Sequence, residues 1–356
     1  MATRAEKTQG NSIPDLSQAA TPPITMKAVR LHAFGGPEVL RYEEAPKPEI
    51  KAGEVLVRVH AVGINPPDWY LRDGYKSLPP EWRPSVTMPL ILGTDVSGVV
   101  EAVAPDVQGF TVGEEVFGMV RFPSLEESRA YAEYVAAPAT DLAHKPAGIS
   151  HVQAAGAPMS GLTVWQYLIE LGHAEVNPFQ PEPHRPVPLG GKRVLVNGAA
   201  GGVGHLAVQV AKWQGAYVIA VASGRQEALL RELGTDEFID YTKTPAEEVV
   251  QEVDLVLDTL GGPSTGRFLR TLKRGGALFP VFLGFADAEE AAQRGITVSM
   301  TQVRSNGSQL AELGRLLAAG TVRVVIDSTF PLAQARQAHE RAAHGHIQGK
   351  IVLTVV

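Results

Sequence analysis

The stretch Arg193-Val194-Leu195-Val196-Asn197-Gly198-Ala199-Ala200-Gly201-Gly202-Val203-Gly204 constrains the fold more than any other part of this sequence. A short apolar run ends in a glycine-rich turn, and a helix-like pattern follows over residues 203–213. An apolar run of that length suits a strand buried on both faces, and glycines allow a tight reversal into a helix. The alternation then continues. Residues 217–222, 254–257, 277–279 and 296–298 carry strand signals separated by helical patterns, the clearest over 225–233 with Gly234 placed to end it. Strands alternating with helices require right-handed crossovers and a parallel sheet covered on both faces. The expectation is an α/β fold, with a doubly wound parallel-sheet domain over residues 151–320.

The flanks have a different period. Residues 26–31, 54–60, 96–103 and 115–119 alternate with period two, are broken by glycine and proline, and leave few helices evident. Residues 26–150 therefore predict a mainly β, barrel-like domain. The C-terminal end is mixed, with strands expected at 322–326 and 350–355 around a helix at 332–343. At 356 residues the chain is long enough for two cores. Residues 1–25 are polar and read as a loose tail. Residues 177–188 hold Pro178, Pro181, Pro183, Pro186 and Pro188, which excludes a helix or central strand and predicts a surface loop.

Composition removes several function classes. A net charge of -6 gives no electrostatic footprint for nucleic acid or an anionic membrane surface, so neither is an expected partner. No run approaches the ~20 apolar residues of a membrane-spanning helix. The chain has no cysteine, which excludes disulfides, a cysteine nucleophile and thiolate-held zinc or iron–sulfur centres. His344 and His346 lie close together but lack a third ligand, so no metal site is expected. Without cysteine or a signal-like apolar segment, a cytoplasmic location is the expectation.

A strand, a glycine turn and a helix N-terminus in that order suit a pyrophosphate: backbone approaches closely, and exposed N–H groups and the helix dipole meet the charge. Gly198, Ala199, Ala200, Gly201, Gly202, Val203 and Gly204 are thus expected to bind a dinucleotide, with Ala199 replacing the first glycine of the usual fingerprint. NAD sites place an acid at the end of the second strand to hold the ribose hydroxyls. Here that position reads Val221-Ala222-Ser223-Gly224-Arg225. Ser223 and Arg225 suit a 2′-phosphate, with Tyr241 a third candidate, so NADPH is the expected cofactor. Leu260, Phe282 and Leu283 fall at the carboxyl ends of later strands, where an open α/β sheet binds its ligand.

Several ordered motifs resemble the medium-chain dehydrogenase/reductase superfamily in its quinone oxidoreductase, zeta-crystallin-like branch. They are Gly63-Ile64-Asn65-Pro66-Pro67-Asp68 with Arg72 and Gly74, the segment Leu92 to Val100, the glycine turn with Ala207 and Gln209, and His346 to Leu353. The resemblance implies a GroES-like catalytic domain from residues 26–150 and 321–356, a central Rossmann domain, a cleft between them, and a homodimer. It also places Asn65 and Tyr70 beside the nicotinamide, Thr163 at the start of an interdomain helix against the cofactor, and Lys350 near its phosphates or nicotinamide. The superfamily's zinc alcohol dehydrogenases carry a Cys near the position of Asn65 and Gly-His-Glu at that of Gly93-Thr94-Asp95, and this chain has neither.

Without a Lewis acid, an unactivated ketone is a poor hydride acceptor, whereas a quinone or α,β-unsaturated carbonyl carries its own electron sink. The expected activity is NADPH-dependent reduction of such a small molecule, with Tyr70 and Asn65 as the catalytic pair, Tyr70 donating to the developing oxyanion. An enoyl-thioester reductase is a second reading. An NADPH-binding protein with a structural or regulatory role is a third.

Overall fold

The computed structural model describes residues 24–83, 85–169 and 188–356. Residues 1–23 of the expected tail and nearly all of the proline-rich stretch lie outside the described residues. The first strand begins at Thr25, one residue earlier than expected.

The N-terminal part consists of Thr25–Leu31 (β1), Leu40–Pro46 (β2), Glu54–Gly63 (β3), Leu90–Ile91 (β4), Asp95–Val103 (β5), Glu115–Met119 (β6), Tyr134–Pro138 (β7) and Leu142–His144 (β8). β2, β1 and β4 form a small sheet, and β3, β5, β6 and β8 run in order through a larger one, with β7 also on β3. Along β1, Met26, Ala28, Val29 and Leu31 are buried and Lys27 and Arg30 partly so, so the period-two alternation breaks at Ala28-Val29, where both faces are covered.

The central part holds Arg193–Asn197 (β9), Tyr217–Ala222 (β10), Glu237–Asp240 (β11), Val253–Asp258 (β12), Leu272–Pro280 (β13) and Thr297–Val298 (β14). All pair in parallel, in the order β11-β10-β9-β12-β13-β14. That is the doubly wound order with its topological switch beside β9, the strand feeding the glycine turn. Asn197 Nδ2 donates to Asp258 Oδ1 at 2.7 Å, tying the ends of β9 and β12 at the switch.

The chain then returns. Ile326–Pro331 (β15) and Lys350–Thr354 (β16) join the large N-terminal sheet, β16 lying antiparallel to β3. The strand expected at 322–326 is therefore four to five residues late: Val322 and Val324 are buried in irregular backbone, and the ladder starts where β15 meets Lys350 of β16. Few helices interrupt the first part, as its period-two pattern predicts: among the described residues they are Pro66–Arg72 and the four-residue Leu125–Ser128, besides short 3-10 turns. Pro66 and Pro67 occupy the opening positions of the first, where a missing N–H costs nothing. The expected helix at 225–233 is a short 3-10 turn, Gly224–Gln226, followed by Glu227–Glu232.

Candidate active site

The glycine turn follows from steric limits. Gly198 has φ +69°, and a Cβ there would lie 2.5 Å from Thr259 Oγ1. At Gly204 a Cβ would come within 2.2 Å of the Gly198 carbonyl oxygen, so only glycine lets the helix Gly204–Trp213 start this close to β9. Between them the backbone of Gly201 and Gly202 faces a cleft of about 670 Å³ between the parallel sheet and the N-terminal part.

Most expected site residues meet on this cleft. Gly198, Ala200, Gly201, Gly202 and Val203 form one wall, Ser223, Arg225 and Tyr241 one end, and Leu260, Phe282 and Leu283 the rim beyond β12 and β13. Asn65, Tyr70, Thr163 and Lys350 line the cleft as well, the Lys350 stem close to Gly202 and Tyr70 beside Phe282. Ala199 and Gly204 do not reach it. Ala199 is fully buried with its N–H on Val221 O at 3.1 Å, and both residues shape the turn from behind. Thr163 is also corrected: it lies one turn and more inside the helix Pro158–Leu168, its hydroxyl donating to Met159 O at 2.7 Å.

An acid, Asp240 at the close of β11, stands next to Gly224 near the Ser223 end. Its carboxylate turns to Thr242 Oγ1 at 2.7 Å and Lys243 Nζ at 3.4 Å, and these contacts with the Gly224 N–H hold its pKa below the usual value. Arg225 Nη2 reaches across the cleft to His346 O at 3.4 Å. The open end therefore presents Ser223, Arg225 and Tyr241 with the nearby acid already engaged.

The other end is apolar and aromatic. Tyr70 stands 5.3 Å from Phe282 and 6.0 Å from Tyr75, ring centre to ring centre. Burial holds the Tyr70 phenol above its usual pKa, so near neutral pH it is a hydrogen-bond donor. Trp69, Leu78, Phe122 and Met300 complete this wall. Tyr75, Leu78 and Phe122 sit in loops whose paths cannot be derived from periodicity, and residues 300–303 gave no signal in the sequence at all.

Asn65 is 1% exposed and Lys350 3%. Lys350 Nζ donates to Ile64 O at 2.9 Å and to Asn65 Oδ1, and Asn65 Nδ2 donates to Gly63 O at 3.3 Å. Burial pulls the lysine pKa down while Asp95 and Asp68 pull it up. Asp95 accepts the Met159 N–H at 2.9 Å, and burial raises its pKa. Gly349 N–H donates to Ala200 O at 2.8 Å, fastening the segment ahead of β16 to the glycine turn. Among the described residues no three His, Asp or Glu side chains are gathered to hold a metal, and no helix is long and apolar enough to cross a membrane.

Comparison with known proteins fits this architecture. The alcohol dehydrogenase GroES-like domain family matches residues 51–147, and the zinc-binding dehydrogenase family matches residues 233–353. The mitochondrial NAD(P)H oxidoreductase RTN4IP1 of Mus musculus is 32% identical over 379 residues, covering 96% of this chain and 92% of that protein. This chain belongs to the medium-chain dehydrogenase/reductase superfamily, in its zinc-free quinone oxidoreductase branch. It is an oxidoreductase. The chloroplastic NADPH-dependent alkenal/one oxidoreductase of Arabidopsis thaliana is 32% identical, covering 94% of this chain and 81% of that protein. The solved quinone oxidoreductase of Coxiella burnetii superposes with a TM-score of 0.80 at 33% identity, over 94% of this chain and all (100%) of that one. A mycobacterial neighbour solved in complex with NADPH has a TM-score of 0.77 at 26% identity, over 93% of this chain and 100% of that one. These relatives support a nicotinamide cofactor, NADH or NADPH, in this family member.

Proposed function

We propose that this oxidoreductase takes NADPH and reduces a quinone or an α,β-unsaturated carbonyl without a metal ion. The observation that carries the reading is the division of one cleft into two chemically distinct ends on either side of the Gly201-Gly202 backbone. Ser223, Arg225 and Tyr241 suit the 2′-phosphate that separates NADPH from NADH, and Gly201, Gly202 and Val203 suit the pyrophosphate. NADPH, when bound, supplies the hydride. Tyr70, Tyr75, Trp69 and Phe282 offer flat apolar surface for a conjugated acceptor and exclude water from it. The Tyr70 hydroxyl then donates to the oxygen on which negative charge develops, and Lys350 fixes Asn65 beside it.

The relatives' names support the same substrate class, quinones for one and alkenals and enones for another. The rings that the cleft offers an acceptor, Trp69, Tyr70, Tyr75 and Phe282, are uncharged, which favours small conjugated acceptors over an enoyl thioester on an acidic carrier. We extend the proposal to a homodimer in the cytoplasm; some relatives carry mitochondrial or chloroplastic names.

Purified protein mixed with NADPH, and separately with NADH, against a panel of quinones, enals and enones tests the reading. Fast loss of absorbance with NADPH and one acceptor class is expected. Preference for NADH would overturn the assignment of Ser223 and Arg225. Binding of NADPH without reduction of any acceptor would favour a structural or regulatory role.

A further inference from the structure

Behind Asn65 runs a row of buried polar groups that does not line the cleft. Asp68, Tyr131 and His339 are essentially inaccessible and Arg72 is 8% exposed. Three pieces of chain supply them: the helix Pro66–Arg72, the segment ahead of β7, and the helix Ala335–Ala343. Arg72 Nη1 lies 2.8 Å from His339 Nδ1, His339 Nε2 lies 3.0 Å from the Tyr131 hydroxyl, and that hydroxyl lies 3.2 Å from Asp68 Oδ2.

The donors fix a direction. A guanidinium has no acceptor, so His339 Nδ1 accepts. Burial, reinforced by the Arg72 charge, pulls the imidazole pKa down to about 3, so His339 is neutral and its proton sits on Nε2. Nε2 then donates to the phenol oxygen, and the Tyr131 O–H donates to Asp68. The same Asp68 Oδ2 accepts the Asn65 N–H at 2.8 Å. Its other oxygen, Oδ1, is buried and has no partner among the described residues. The chain of donors thus starts on a cation and ends on one carboxylate oxygen that anchors the cleft residue Asn65.

We propose that Tyr131 and His339, with Arg72, are positioning residues for the reduction: their one-way chain holds Asp68 as a carboxylate, and Asp68 holds Asn65 and Lys350 at the edge of the cleft. The inference rests on the roles assigned above to Asn65 and Lys350. The groups facing Asp68 show why each donor counts. Asp95 of β5 opposes its ionisation, Lys350 of β16 favours it, and Tyr75 and Tyr131 face it as neutral phenols. Burial raises its pKa to about 7, so the anion near neutral pH depends on the hydrogen bonds it receives.

Tyr131→Phe removes one hydroxyl and little volume. Because the folded pKa of Asp68 lies above its unfolded value, ionising it costs stability, and the cost accumulates up to the folded pKa. Losing the Tyr131 donor raises that pKa further, so the cost goes on growing to higher pH. Melting temperatures of wild type and Tyr131→Phe, without cofactor, should differ least at pH 6 and increasingly through pH 8.5. A gap that stays constant with pH overturns the proposal. With NADPH and 1,4-benzoquinone, Tyr131→Phe and His339→Leu should lower kcat roughly tenfold, the value of one hydrogen bond to a charged group. NADPH affinity, read from tryptophan fluorescence, should stay within twofold. His339→Gln keeps a donor toward Tyr131 and should recover most of the rate. A loss of rate that follows melting temperature alone, with no rescue by His339→Gln, overturns the positioning role. A wild type that reduces no acceptor while the gap still widens with pH retains the chain as the support of Asp68 and overturns the reductase reading.

Discussion

Replacing Lys350 with methionine tests the polar heart of the cleft most directly. Methionine keeps much of the apolar stem and deletes the ammonium, which makes two hydrogen bonds, to Ile64 O at 2.9 Å and to Asn65 Oδ1. The deletion leaves Asp95, fully buried, and Asp68, 1% exposed, without the cation that both face. Removing one partner of a buried ion cluster costs about 3–5 kcal/mol. Here the loss is limited by protonation, because the carboxylates can neutralise themselves. With Asp68 at about 7 in the wild type and higher in the variant, the loss should approach that range at pH 8.5 and shrink toward pH 6. Urea titrations of both proteins at those two pH values measure it, with unchanged slopes confirming the same extent of unfolding. Turnover with NADPH and a quinone should fall more than tenfold, because Asn65 loses its anchor. A stability loss below about 1 kcal/mol that is the same at both pH values would refute the argument that Lys350 balances these two carboxylates.

Arg225→Ala should raise the KM for NADPH by roughly tenfold or more, the worth of a charge-assisted hydrogen bond, while NADH kinetics change less than twofold. An unchanged preference removes Arg225 from phosphate recognition. Tyr70→Phe should lower kcat by about ten- to a hundredfold with NADPH affinity preserved, measured by steady-state kinetics and fluorescence titration; full activity excludes the hydroxyl from the reaction. His205 is buried and neutral, its ring bonded to Gly201 O at 2.9 Å and to the Val325 N–H at 3.2 Å, and burial lowers its pKa to about 4. The unfolded chain therefore takes up a proton before the folded one does. Stability should drop as pH falls from about 6.5 to about 4, by on the order of 3 kcal/mol from this group. In His205→Gln that acid slope should flatten, as urea midpoints across the range will report.

The pieces legible in the sequence are those set by neighbours along the chain. The apolar run, glycine turn and helix at Arg193 to Trp213, and the alternation after it, depend on backbone sterics and local burial. The same local logic placed Ser223 and Arg225 at the end of β10, next to the turn. It also put Ala199 and Gly204 in contact with a ligand, which the fold corrects by turning them behind the wall, since motif position does not say which way a residue faces.

Tertiary structure alone decided the rest. β16 returns to β3 and carries Lys350 to Asn65, 285 positions away in the chain. Whether a lysine is solvated or buried against two carboxylates depends on which strands pair, and no local pattern encodes that. Residues 300–303 reach the aromatic wall for the same reason, and the strand expected at 322–326 forms later because its ladder waits for β16. The sequence by itself determined the turn that meets a dinucleotide; the packing of distant strands determined which charges and rings surround it, because burial and pairing belong to the folded whole.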